Sequence, residues 1–271
     1  ALLDNDDHPI IASDGPALEL LKKEFPDLPA VELPAYDIEY AEKGENLKLK
    51  LLKDSPKIWS AIRAEHRLLP HLIHVYHLDG VISDNRLGLY SRSIPCVIIS
   101  HQLQVLSGST TWLSTQLHLH YIKKFNACWI PDHENYPNLT GKLSYNNDAS
   151  LKKIYLGPIS RFKPKKVEQN KYDVLILLSG PEPQRGILEK KLLKQAKSFD
   201  GSILFVAGIV EPIQTVHKKG NLTYHNFLST AGVQKAIERS SMVLCRSGYT
   251  SIMDLSAMNK KAFFIPTPGQ F

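Results

Sequence analysis

Cysteine is scarce in this sequence and offers no framework for cross-links. The three cysteines, Cys96, Cys128 and Cys245, are odd in number, far apart and each set in an apolar run. A secreted disulfide scaffold and a cysteine-based zinc site therefore have little support. This usage favours a protein of the reducing cytoplasm.

Long apolar runs are also missing. No stretch approaches the roughly 18 apolar residues that a membrane-spanning helix needs, and no signal-peptide pattern opens the chain. The sequence predicts a soluble protein that contacts a membrane at most peripherally.

A strong charge of one sign is absent as well. The 271 residues carry 33 Lys and Arg against 27 Asp and Glu, a formal net charge of +6. Ordinary solubility explains so small an excess, which favours an acidic partner only weakly. Because no recognition-helix or aromatic-platform motif accompanies it, a nucleic-acid partner is not expected.

The histidines show no metal-binding spacing. His118 and His120 are two positions apart on a predicted helix and so point to different faces. The histidines between positions 66 and 77 lack accompanying acidic ligands. We therefore predict no bound metal and no other cofactor.

The sequence is rich in one pattern, in which short apolar, β-rich runs alternate with longer amphipathic segments. This alternation is typical of parallel strands joined by crossover helices, and it predicts the α/β class. Strands are predicted at residues 9–12, 30–33, 80–83, 96–100, 127–130, 153–156, 172–178, 202–207, 222–225, 242–245 and 262–265. Helices are predicted at residues 15–25, 56–76, 110–125, 184–199, 231–240 and 250–258, with Pro56 in a first turn.

The periodicity fades between residues 131 and 151 and restarts after a basic, proline-containing stretch at 161–166. This break predicts two α/β domains, residues 1–158 and 159–271. The chain opens at Ala1 and stops after Pro268-Gly269-Gln270, within what reads as a loop. We therefore expect a fragment whose first strand with its loop, and whose C-terminal end, lie outside it.

Ligands gather at the carboxyl ends of parallel strands, so the junctions that follow the predicted strands are the candidate sites. Arg246-Ser247-Gly248 leads into a predicted helix whose free N–H groups suit a phosphate. Asp254, about one turn inside that helix, could accept hydrogen bonds from two vicinal hydroxyls or merely offset the helix dipole. Residues 179–185 repeat the arrangement without the Gly-Lys-Ser/Thr of a P-loop, and a plain turn is an equal alternative there.

These stretches together resemble a known family. Phe227-Leu228-Ser229-Thr230, the run Leu-Cys-Arg-Ser-Gly-Tyr-Thr-Ser-Ile-Met-Asp-Leu at 244–255 and Ile-Pro-Thr-Pro-Gly-Gln at 265–270 are similar to the donor half of MurG-like glycosyltransferases. Residues 157–161 also look like that family's interdomain Gly-x-x-x-Arg segment. The resemblance covers most of residues 80–271. It implies the GT-B fold, two Rossmann-like domains facing a cleft, with a donor domain of the glycosyltransferase family 28 C-terminal type.

The same resemblance implies a donor-binding set. Asp254 would hold the ribose hydroxyls, Phe227 and Leu228 would flank the uracil, and Gln270 would begin the sugar-recognising segment. It places Arg161, Gly180, Ser247 and Gly248 around the diphosphate. The strand-end junctions themselves add Gln184, Arg185 and Arg246 to the predicted donor-binding residues. Asp254 stands where the family usually has Glu, and Pro181 and Pro183 each lack an N–H donor, so the exact donor stays open.

Two polar clusters follow predicted strands in the first half. Asp84, Asn85, Arg86 and Gln102 are the predicted acceptor-side residues. His101 is the best visible candidate for a catalytic or acceptor-orienting group, and a structural histidine is its alternative. The family's glycine-rich loop with a His is not present, so we expect the main base to lie outside the chain.

The resemblance implies a metal-independent hexosyltransferase with a nucleotide-sugar donor. It would move N-acetylglucosamine or a related hexosamine from a UDP-sugar to a glycolipid or glycan-precursor hydroxyl at the cytoplasmic membrane face. A sugar-nucleotide epimerase or hydrolase on the same fold is one alternative. A non-catalytic donor-binding subunit is another.

Overall fold

The computed structural model describes residues 2–36, 47–104, 111–146, 148–164, 170–180 and 182–266. Within these ranges the strands form one two-stranded, one four-stranded and one six-stranded sheet. Nearly all neighbouring strands run parallel, with helices between them. The predicted α/β class is confirmed. No helix in the described ranges is both long and apolar enough to cross a membrane.

The two-stranded sheet comes first in the chain, after a 3-10 turn at Leu3–Asn5. Strand β1 (Ile11–Ser13) pairs in parallel with β2 (Ala30–Glu32), and helix α1 (Gly15–Glu24) connects them. The structure keeps this pair apart from the four-stranded sheet. Just after β2, Leu33 is buried against Leu72 and Leu89, and this cluster attaches the pair to the next elements.

Helix α2 (Leu47–Tyr76) is longer than predicted. Its predicted start at Pro56 is wrong, because Pro56 and Pro70 both lie inside the helix. The Leu- and Lys-rich residues 47–53 favour helix, so the chain is already helical before the proline. A helix can continue through a proline at the cost of a backbone hydrogen bond.

The four-stranded sheet has its strands in chain order. These are β3 (Val81–Asp84), β4 (Cys96–Ile99), β5 (Ala127–Ile130) and β6 (Lys153–Tyr155), all parallel. Helix α3 (Thr111–Ile122) connects β4 to β5 and packs Leu119 and Ile122 into the core of the central strands. Because the strands are parallel, their carboxyl ends lie along one edge.

The six-stranded sheet has the order β12-β11-β7-β8-β10-β9. Its strands are β7 (Tyr172–Leu177), β8 (Ile203–Val206), β9 (Val216–Lys219), β10 (Leu222–His225), β11 (Ser240–Arg246) and β12 (Ala262–Ile265). Helices α5 (Thr230–Glu238) and α6 (Tyr249–Ala257) contribute to the core on one face, and α4 (Gln184–Ala196) covers the other. Burial on both faces explains why its central strands are continuously apolar.

One strand of this sheet differs from the prediction. Strand β9 was not predicted, and it pairs antiparallel with β10. The predicted division at residues 158/159 falls in the connection between β6 and β7. That division stays a prediction.

Candidate functional site

The carboxyl edge of the four-stranded sheet gathers most of the predicted acceptor-side residues. Asp84 ends β3, and Asn85 follows in the left-handed region with φ 56°. The Ser100 hydroxyl, just after β4, donates to Asn85 Oδ1 at 3.3 Å and accepts from the backbone N–H of Gln102 at 3.2 Å. His101 lies between them in the chain. These residues therefore share one edge, and their roles there stay predictions.

Arg86 is the exception, because its guanidinium is bound into the interior of the first half. It donates to Glu65 Oε1 at 2.6 Å, to Asp14 Oδ1 at 2.8 Å and to the carbonyl of Pro34 at 2.5 Å. Glu65 is fully buried and also accepts from the Tyr36 hydroxyl at 2.9 Å. The geometry gives Arg86 a structural role that sequence reasoning missed, and its acceptor role stays a prediction.

His101 lies against a residue of the second half. Its ring stacks on that of Tyr249, with centroids 4.3 Å apart and planes at 17°. Burial lowers the pKa of His101, and the charge of Asp132 offsets this only in part. Burial therefore favours the neutral imidazole, in which one ring nitrogen is a hydrogen-bond acceptor.

Tyr249 opens helix α6 and reaches across to the first half. Its hydroxyl donates to the carbonyl of Pro131 at 2.8 Å. Burial and the nearby Asp132 carboxylate raise its pKa well above the usual value. Tyr249 was not among the predicted site residues, because nothing in its local sequence indicates a partner more than one hundred positions away.

Asp132 fixes the loop beneath these two rings. Its fully buried carboxylate accepts backbone hydrogen bonds from His133, Leu139 and Thr140 at 2.8, 3.0 and 2.9 Å. Burial alone would raise its pKa, but these bonds and the Thr140 hydroxyl outweigh burial and hold the pKa below the usual value. Asp132 is thus an ionised structural anchor with its oxygens engaged.

On the six-stranded sheet, the junction after β11 is open to a ligand. Gly248 is the N-cap of α6, and no side chain caps the helix. Gly248 is exposed and has open space where a side chain would stand, and Ser247 beside it is half-buried. The first N–H groups of α6 are therefore available, as a phosphate site requires.

Arg246 places a buried positive charge beside this junction. It is 6% exposed and donates to the carbonyls of Pro266 and Gln184, each at 2.9 Å. Among the described residues it has no acidic partner, and burial lowers its pKa. A buried cation is costly without a counter-charge, so an anion at this end of α6 would be favoured.

The junction before α4 differs, because a carboxylate of the chain already occupies it. Glu182 accepts from the backbone N–H of Gly186 at 3.0 Å and pairs with Arg185. Arg185 also pairs with Glu189 at 2.8 Å and is buried. Gln184 is buried too, and Gly180 is exposed with φ +100°. The donors that the sequence assigned to phosphate here are largely engaged within the protein, so the α6 junction is the stronger candidate.

Asp254 meets the segment that connects the two larger sheets. Its Oδ1 accepts from the Ser160 hydroxyl at 2.6 Å, and that hydroxyl accepts from the backbone N–H of Phe162 at 3.0 Å. Burial raises the pKa of Asp254, whereas Ser160 and the charge of Arg161 lower it in part. The structure thus brings the predicted residues Asp254 and Arg161 together.

The predicted base-flanking residues follow β10. Phe227 and Leu228 are half-buried, and the ammonium of Lys23 lies 5.5 Å from the centroid of the Phe227 ring. Lys23 also donates to the carbonyl of Glu211 at 2.8 Å. Sequence reasoning did not single out Lys23. Gln270 lies outside the described residues.

Residues 185–271 match the model of the glycosyltransferase family 28 C-terminal domain. No curated protein matches the chain.

Several solved structures share the fold at low sequence identity. Spinosyn rhamnosyltransferase SpnG matches with a TM-score of 0.58 and 10% identity, over 98% of this chain and 75% of that one. The Streptomyces sp. SF2575 glycosyltransferase SsfS6, complexed with thymidine diphosphate, matches with a TM-score of 0.56 and 11% identity. The match covers 98% of this chain and 75% of that one. UDP-GlcNAc 2-epimerase from Neisseria meningitidis, bound to UDP-GlcNAc, matches with a TM-score of 0.50 and 12% identity. The match covers 94% of this chain and 82% of that one.

The family match confirms the resemblance for the part of the chain that contains α4, α5, α6 and the Arg246-Ser247-Gly248 junction. The structural matches confirm the fold. Residues 185–271 are therefore similar in sequence to the glycosyltransferase family 28 C-terminal domain, and the chain has the fold of GT-B glycosyltransferases.

Proposed function

We propose that this chain transfers a hexose from a UDP-sugar to a hydroxyl group of a glycolipid or glycan precursor. The observation that carries the proposal is the uncapped end of α6, with Arg246, Ser247 and Gly248 beside it, inside the family 28 domain. Open N–H groups and a buried cation without an acidic partner suit a diphosphate.

The chemistry would be displacement at the anomeric carbon by the acceptor hydroxyl. The bond to the donor diphosphate breaks, and negative charge develops on its departing oxygen. The N–H groups at the start of α6 and the guanidinium groups of Arg246 and Arg161 are the groups that would stabilise this charge. Because these charges come from the protein, the proposed transfer uses no metal ion.

Asp254 is proposed to hold the ribose. Burial raises the pKa of this carboxylate, because it removes water from the charged form. Hydroxyl donors from a ribose would replace the lost water and stabilise the charged form. Ser160 already fixes one carboxylate oxygen at 2.6 Å, which orients the group. Phe227 and Leu228 would flank the base.

The first half is proposed to hold the acceptor at the edge formed by Asp84, Asn85 and Gln102. His101 is the candidate proton acceptor there, because burial keeps its imidazole neutral and it stacks on the first residue of α6. N-acetylglucosamine or a related hexosamine is the proposed sugar. The inner face of the membrane is the proposed location of the transfer.

Calorimetric titration with UDP tests the donor site. We expect Asp254→Ala to weaken UDP binding by about tenfold or more, since a hydrogen bond to a charged group contributes roughly 1.5–3 kcal/mol. Asp173→Ala is the matched control, because Asp173 makes a similar pair with Ser202 at 2.8 Å near the amino end of β7. Equal UDP affinity in both variants would refute the ribose assignment.

A sugar-nucleotide epimerase or hydrolase is the second candidate, because UDP-GlcNAc 2-epimerase shares the fold. Incubation with radiolabelled UDP-N-acetylglucosamine separates the two. Label that moves to a lipid-linked or glycan acceptor only when acceptor is added supports transfer. Free sugar or an epimer formed without acceptor supports the second candidate instead.

A further inference from the structure

A cavity of about 650 Å³ lies in the first half. Its lining includes His66, Tyr90, Arg92, Lys123 and Lys124. This volume falls in the range of small-molecule sites. The cavity is lined by cationic side chains and contains no Asp or Glu among its lining residues.

Its position separates it from the candidate site. Lys123 and Lys124 come just before β5, and Arg92 comes before β4, so they lie toward the amino ends of the parallel strands. The predicted acceptor-side residues lie at the carboxyl ends of β3 and β4. The cavity therefore belongs to the opposite edge of the sheet, away from the α6 junction.

Most of its positive charge is not balanced by the protein. Lys123 pairs with Asp148 at 2.6 Å. Neither Arg92 nor Lys124 has an acidic partner within the described residues. Both side chains are exposed, so an anion can reach the two positive charges from solvent.

The Lys124 ammonium is also held in place. It donates to the Tyr90 hydroxyl at 3.1 Å and lies 4.9 and 4.5 Å from the ring centroids of Tyr90 and Tyr121. The ring of His66 in turn stacks on the Tyr90 ring, with centroids 4.2 Å apart. A cation fixed in this way loses less entropy when it binds a ligand.

We propose that this cavity binds a phosphate monoester, with the phosphate between Arg92 and Lys124. A monoester carries a charge of about −1.5 to −2 at neutral pH, which matches the two unbalanced cations. Pro70 also lines the cavity and gives an exposed apolar surface for the organic part of the ligand. The ligand is bound, not transformed, and the site is independent of the proposed donor site.

Calorimetric titration with phenyl phosphate tests this site. We expect saturable binding that weakens about tenfold or more in the double variant Arg92→Gln/Lys124→Gln, which removes both charges and leaves a shorter, neutral polar side chain at each position. The double variant Lys194→Gln/Lys197→Gln is the matched control, because it removes two exposed lysines in and just after α4. No saturable binding, or equal binding by both double variants, would overturn the proposal.

Two further measurements identify the source of the phosphate and keep the two sites apart. Sedimentation with phosphatidylcholine vesicles that contain phosphatidic acid, lost in Arg92→Gln/Lys124→Gln, would assign the phosphate to a lipid headgroup. Phenyl phosphate binding without sedimentation would assign it to a soluble ligand. UDP affinity should be unchanged in this variant, so failure at the cavity and failure at the donor site can be told apart.

Discussion

Arg86 and Arg246 differ in how their charges are balanced within the protein. The guanidinium of Arg86 meets the carboxylates of Glu65 and Asp14, and the Glu65 carboxylate also accepts from the backbone N–H of Gly88 at 3.0 Å. Arg246 meets only carbonyls among the described residues. The first arrangement is complete without a ligand and therefore structural. The second leaves a charge that an anion can balance, as is expected at a binding site for an anionic ligand.

Glu65→Ala tests the first arrangement. We expect a loss of about 3–5 kcal/mol in the free energy of unfolding, because removing one partner of a buried ion pair leaves the charge of the other uncompensated. Urea denaturation measures it. Glu19→Ala is the control, because that side chain is 62% exposed in a surface pair with Lys22 and should cost about 1 kcal/mol or less. Similar losses in the two variants would show that the Glu65 network contributes little.

At the scale of elements, the pattern of apolar residues predicted most of the sheets. Strands β5, β10 and β12 have their predicted bounds, because each is a short apolar or β-branched run between polar turns. Strand β9 was missed because all four of its residues are exposed, so burial imposes no alternation on them. The sequence still contained one indication of it, since Gly220-Asn221 is a favourable hairpin turn before β10.

The hairpin turn at Gly220 gives a test at this scale. Gly220 has φ +59° and open space where a side chain would stand, so backbone conformation alone decides the outcome of a substitution there. We expect Gly220→Val to cost about 1–2 kcal/mol and to lower the thermal midpoint. Gly220→Asn should cost less, because Asn tolerates this conformation. A thermal midpoint that is equal in both variants would contradict the left-handed turn.

The candidate site was only partly predictable for a related reason. Loops at strand ends, such as Asp84-Asn85 and Ser247-Gly248, could be found from the predicted strands alone. The pairs Ser160–Asp254 and His101–Tyr249 join residues far apart in the chain. A single sequence contains no information on which distant side chains meet, so these contacts required the structure.

At the scale of the whole molecule, Tyr249 links the carboxyl edge of the four-stranded sheet to the junction between β11 and α6. Its hydroxyl bonds to Pro131, and its ring covers His101. It is also the residue that follows Gly248 at the start of α6. Any shift of the α6 junction therefore changes the surroundings of the His101 ring.

Tyr249→Ala should raise the pKa of His101 toward its ordinary value, because removing the stacked ring reduces the burial that lowers it. The imidazole would then gain a proton at a higher pH than in the unmodified protein. NMR titration of the histidine ring protons measures this shift. Tyr249→Phe is the control, because it keeps the ring and loses only the bond to Pro131, at a cost of about 1 kcal/mol in stability. An unchanged His101 pKa in Tyr249→Ala would argue against contact between the two halves.

The exposed residues of β9 have a consequence for how copies of the protein meet one another. This strand closes one side of the six-stranded sheet, and its unpaired backbone groups could template a strand from a neighbouring molecule. Lys218 and Lys219 lie on that border. Two copies that paired through this edge would bring four lysines together, and the repulsion between their charges disfavours such pairing. A strand that adds nothing to the core is thus expected to oppose the addition of a strand from a second copy.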